Sequence, residues 1–126
     1  MSLVLLPPDL VEAIHDSVLN QGELQVRARD KSLEGALAPV DHRLAYGMIE
    51  DAFDLAAAYA VAIATGHCFN DGNKRTAHQC MDVCLDLNGI EIAWDTVDVG
   101  DTIIAAAQKQ IDAQDLADWL RVRAGD

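Results

Sequence analysis

Apolar residues recur at helical spacing along most of this chain. Ile49, Phe53, Ala57, Ala60, Val61 and Ala64 do so within IEDAFDLAAAYAVAIAT, which predicts a helix. From Leu55 to Ala64 that segment is apolar on nearly every side, the pattern of a helix buried among others rather than lying on a surface. A second helix follows, with Thr76, Cys80, Val83, Cys84 and Leu87 on its inner face and Asn88-Gly89 as its stop. Before this pair, Pro7-Pro8-Asp9 opens a helix to about Leu19, with Leu10, Val11, Ile14 and Val18 inward. His15 on that helix reads as structural or exposed, not catalytic. Ser32 caps a short helix to Ala38 that Pro39 ends, so 40–47 is a connector with His42 facing solvent. After Gly89, Ile90, Ile92 and Trp94 alternate as a short strand or an extended turn. Asp95 or Thr96 then starts a helix through Lys109, with Val99, Ile103 and Ala106 inward and Ile104 and Ala107 beside them. A last helix from about Asp112 to Arg123 is anchored by Leu116, Trp119 and Leu120, with Trp119 as core. Leu24, Val26 and Ala28 alternate weakly, as a short extended flap does. The expected fold is all-α: a compact bundle of six helices around a central hairpin, one domain spanning 1–126.

Composition narrows the function. The chain has 126 residues and 51% hydrophobic positions, but only 5% aromatic ones, so its core is built from Ala, Val, Leu and Ile. A net charge of −12 disfavours nucleic acid as a direct partner, because phosphate backbones repel such a surface. Met1 to Leu6 is too short and uncharged for a signal peptide, and no apolar run is long enough to span a bilayer. Cys80 and Cys84 lie one turn apart and Cys68 lies apart from them, with no CxxC. Buried free thiols in a reducing cytoplasm fit this better than a disulfide framework or structural zinc.

Between the two central helices runs Gly66-His67-Cys68-Phe69-Asn70-Asp71-Gly72-Asn73-Lys74-Arg75-Thr76. It gathers a base, a carboxylate, a Gly-Asn turn and two adjacent cations. A hydroxyl nucleophile needs a proton acceptor, usually His. Phosphate oxygens need Lys, Arg and backbone N–H groups, and a metal that neutralises them needs a carboxylate. Lys74 and Arg75 fall in the first turn of the following helix, where cations oppose the helix dipole. A bound anion would remove that cost. A P-loop does not fit: Asn73 separates Gly72 from Lys74, and a helix rather than a strand precedes the loop.

HCFNDGNKR resembles the signature H-x-F-x-[DE]-[GA]-N-[GK]-R of the Fic/Doc superfamily, matched at His67, Phe69, Asp71, Gly72, Asn73, Lys74 and Arg75. GELQVRARDKSLEGALA, from Gly22 to Ala38, is similar to an element common upstream in Doc-like proteins. Fic enzymes carry Gly where Lys74 stands, and they transfer AMP from ATP to a protein hydroxyl. Doc-type toxins carry Lys, and the resemblance implies that they transfer the γ-phosphate instead. A Lys fills that subsite and brings a point charge where a Gly leaves backbone N–H groups open. His78 also stands where Fic enzymes have a second arginine.

The resemblance thus implies a toxin of a toxin–antitoxin pair, a cytoplasmic protein Ser/Thr kinase using ATP and Mg²⁺. Its target would be elongation factor Tu, with translation and growth arrested, and its partner a Phd-type antitoxin. It implies His67 as catalytic base and Asp71 as the carboxylate that holds Mg²⁺ or orients the acceptor. Gly72, Asn73, Lys74 and Arg75 match phosphate-binding positions, and Phe69 the anchor of the loop. The flap would pair with a target peptide by strand addition. Two positions depart from the Doc pattern: Thr65 replaces a frequent Arg, and Gln79 an Asn. The alternatives are a Fic-type AMP transferase and a catalytically weak binding or regulatory module.

Overall fold

In a computed structural model, residues 2–20, 22, 32–66, 69 and 72–125 are described. They form six helices: α1 (Pro8–Val18), α2 (Leu33–Ala45), α3 (Ala52–Gly66), α4 (Asn73–Leu87), α5 (Thr96–Ala107) and α6 (Ala113–Ala124). No strand runs among the described residues, and the all-α expectation holds. The flap over 22–30 lies almost wholly outside them.

Helix α3 is the axis. Its Leu55, Ala56, Ala57 and Ala60 are fully buried, and it packs most extensively on α4, then on α6, α2 and α5. Alanine on nearly every side lets four helices approach one, which explains the apolar run from Leu55 to Ala64. Helix α4 presents Ala77, Cys80, Met81, Cys84 and Leu85 to the core. Leu87, expected inward, is 45% exposed: the buried stripe runs through pairs one turn apart, and Leu87 falls outside it. Ile104 of α5 likewise faces outward, and α5 stops at Ala107, with Gln108 as its cap and Lys109 at φ 62°.

Helix α2 corrects the reading of Pro39. The helix does not end there but continues to Ala45, with Pro39 inside it. Proline costs a helix one hydrogen bond and a clash with the carbonyl four residues back. Val40 is buried beyond the proline and Leu44 packs on the core, so tertiary burial outweighs the local penalty. Ser32 does cap α2, accepting from the Gly35 N–H at 3.0 Å. His42 is exposed.

Side-chain hydrogen bonds fasten the ends. The Tyr59 hydroxyl accepts from the Leu6 N–H at 2.9 Å and donates to the Leu6 carbonyl at 3.3 Å. The Asn88 amide pairs with both backbone groups of Val4, at 2.8 and 3.1 Å. The N-terminal segment is thereby strapped across α3 and α4. Arg121 of α6 reaches Asp51 at 3.0 Å and Asp54 at 2.8 Å, joining α6 to the start of α3. Asp112 and Asp115 form a reciprocal capping box at the start of α6. The segment before α5 forms no strand, and Trp94 within it donates to Asp82 at 3.0 Å. Trp119 is only half-buried, with Arg123 over its ring at 4.6 Å.

Cys80 and Cys84 are buried free thiols, each pushed up to about 12 by burial, with Cys84 adding to the shift at Cys80. Thiolate is the reactive form, so both should resist iodoacetamide at pH 8 in the folded protein and react once it is unfolded. Intact-protein mass spectrometry checks this; rapid native alkylation of either would contradict the buried inner face of α4.

Candidate functional site

The site is built where α3 gives way to α4. Gly66 ends α3, and a Cβ added to it would approach the Ala36 Cβ to 3.0 Å, so the chain leaves the helix tight against α2. Gly72 stands at the N-cap of α4 with φ 80° and ψ 15°, a left-handed conformation that favours glycine. A Cβ there would also lie 3.2 Å from the Leu19 Cδ2 atom. The turn expected from Gly72-Asn73 is therefore required twice over, by backbone conformation and by space.

Asn73 is not the helix cap. It is the first residue of α4, and its side chain reaches back to Phe69. Its Oδ1 accepts from the Phe69 N–H at 3.2 Å, and its Nδ2 donates to the Phe69 carbonyl at 2.8 Å. This two-point clip satisfies both backbone groups of a loop residue whose side chain is buried. Phe69 is 2% exposed and stacks on His15.

The cations divide. Lys74 is exposed in the first turn of α4, and its side chain makes no hydrogen bond or ion pair among the described residues. Arg75 is half-buried and donates through Nη1 to the Val18 carbonyl at 3.0 Å. Val18 closes α1, so this guanidinium sits at the negative end of one helix while standing in the first turn of another. No acidic residue occupies that first turn of α4. With backbone N–H groups at the start of the helix, the place suits an anion.

His67 and Asp71 lie outside the described residues, as does Cys68. No group of three or more metal-ligating side chains occurs among the described residues. Thr65 donates to the Val61 carbonyl at 2.6 Å, and Gln79 is exposed. On the far side, Lys74, Arg75 and His78 line a cavity of about 230 Å³ against Val99, Gly100 and Ile103 of α5.

Burial holds the His78 imidazole below the ordinary histidine range, against an opposing pull from Asp82. A histidine whose folded value is lowered takes up its proton more readily when unfolded. Its effect on stability is absent above the ordinary value of 6.5 and appears as a loss while pH falls from there through the lower folded value. Proton NMR of the folded protein should find the His78 midpoint below the ordinary histidine value of 6.5; a midpoint at or above it would contradict the burial of His78.

Sequence reasoning missed three parts of this site: His15 beneath Phe69, the Asn73 clip, and the Arg75 contact with α1. Only the first left a signal, since His15 stands beside Ile14 and one turn from Val11 on the inward stripe of α1.

Comparison with known proteins agrees with this architecture. The Fic/DOC family profile matches residues 5–85, and this chain belongs to the Fic/DOC family. Within the family it falls in the Doc branch. It is 36% identical over 115 residues to the protein kinase doc of Escherichia phage P1, covering 90% of each chain. No helix among the described residues is long and apolar enough to cross a membrane.

Proposed function

We propose that this protein is a kinase that transfers the γ-phosphate of ATP to a Ser or Thr hydroxyl of elongation factor Tu. The observation that carries the reading is Lys74: a cation without an ion-pair partner among the described residues, at the N-terminus of α4, in a chain similar along nine-tenths of its length to a protein kinase.

In this reading, the acceptor oxygen forms a bond to the γ-phosphorus as the bond from that phosphorus to the β-bridging oxygen breaks. ADP leaves with the electron pair. His67 takes the proton of the attacking hydroxyl. Lys74 and Arg75, with the N–H groups at the start of α4, hold the phosphate oxygens, where their charge counts most in the transition state. Gly72 lets the backbone approach the phosphates, and Asn73 keeps the loop on its helix through Phe69. Asp71 is the residue that would hold Mg²⁺, which neutralises phosphate charge when bound. On a body of net charge −12, that neutralisation also eases the approach of ATP.

Arrest of translation and growth follows from such a target, and a Phd-type antitoxin is the partner that the Doc resemblance supports. Incubation of purified elongation factor Tu with the protein, ATP and Mg²⁺ tests the reading. Mass spectrometry should find one added phosphate on a Ser or Thr. An added AMP would establish the Fic-type reaction instead, and an unmodified target would reject enzymatic action on this factor.

A further inference from the structure

The mechanism above leaves one buried imidazole unused. His15 is fully buried on the inward face of α1. Its ring lies flat against Phe69, with centroids 3.7 Å apart and planes 8° from parallel. The same ring borders Gly72: a Cβ built there would come within 3.7 Å of His15 Cδ2 and 3.8 Å of Nε2. Its Nδ1 is 3.4 Å from the Asp16 carboxylate. An aliphatic side chain would fill a core position without the desolvation cost of a polar ring, but it would present no flat face to Phe69.

Chain geometry makes this contact matter. Consecutive Cα atoms are about 3.8 Å apart. Residues 67–68 run between Gly66 and Phe69, and residues 70–71 between Phe69 and Gly72. Phe69 thus adjoins both pairs and Gly72 the second, and His15 touches Phe69 and borders Gly72.

We propose that His15 is a positioning residue, whose ring face sets Phe69 and Gly72 and through them the stretch of chain that carries His67 and Asp71. The inference rests on the reading of His67 as the base, but part of its test does not. His15→Leu keeps an apolar side chain and removes the flat ring; His15→Phe keeps a flat ring; His15→Gln keeps polarity without one. In the kinase assay, His15→Leu and His15→Gln should lower kcat by about 10- to 100-fold while KM for ATP stays close to the parent value, and His15→Phe should restore most of the rate. Independently of any activity, native hydrogen exchange at the Phe69 amide, which donates to Asn73, should quicken in the Leu and Gln variants but not in the Phe variant, with α3 and α6 unchanged.

If the parent lacks kinase activity, the exchange experiment still decides the positioning role. Parental Phe69 protection in His15→Leu or His15→Gln would overturn the proposal. So would a Phe variant as impaired as Leu in both readouts. Should His15→Leu unfold, the Gln and Phe variants carry the same comparison.

Discussion

His67→Ala is expected to abolish measurable phosphate transfer, a loss of about 10²- to 10⁴-fold, while the protein keeps its fold and its affinity for nucleotide. The size follows from the role. A hydroxyl attacking phosphorus must lose its proton, and His67 is the single imidazole of the matched loop HCFNDGNKR. The residues proposed to hold phosphate, Gly72, Asn73, Lys74 and Arg75, belong to the turn and first turn of α4 and stay in place. Nucleotide binding followed by calorimetry should therefore change little while turnover disappears. A variant that transfers phosphate at the parental rate would remove His67 from the mechanism.

The second large effect is on stability. Phe69→Ala should destabilise the protein by about 3–5 kcal/mol, a large share of the roughly 5–15 kcal/mol that holds a typical domain together. Phe69 is among the largest fully buried side chains. It does not sit within a helix but is carried by the loop, and its ring fills the space over His15. Its removal leaves a cavity beside a buried polar ring. Thermal unfolding should shift down by about 10 °C or more, and activity should fall even below the transition. A melting temperature within a few degrees of the parent would mean that neighbouring side chains collapse into the space, and that the loop is not held by this ring.

The helices were legible because burial and periodicity coincide in them. The alanine-rich α3 could not be stable on any surface, and its apolar girth announced the central position it takes. On α4 the spacing found Thr76, Cys80 and Cys84 but missed Ala77, Met81 and Leu85 beside them, and it placed Leu87 inward although it is exposed. Pro39 misled because proline penalties are local while the burial of Val40 is tertiary, and the spacing of one helix does not show what covers its far end.

The site shows the same division. The loop chemistry was visible as a motif, since seven fixed positions match in order. The support beneath it was not. His15 lies 54 residues before Phe69 in the sequence and meets it only through the packing of α1 against the α4 side of the fold. The Arg75 contact with Val18 spans a similar distance, 57 residues. Asparagine is commonly a helix cap, but the left-handed Gly72 takes that place here and leaves the Asn73 amide to Phe69.

The most direct test of the central claim is to follow the label. Purified protein, elongation factor Tu and Mg²⁺ are mixed with ATP labelled either on the γ-phosphate or on the α-phosphate. With a lysine at position 74, label from the γ-phosphate should appear on the factor, and label from the α-phosphate should remain with the released nucleotide. Label from the α-phosphate on the factor would contradict the account, because it would mean that AMP, not phosphate, had been transferred.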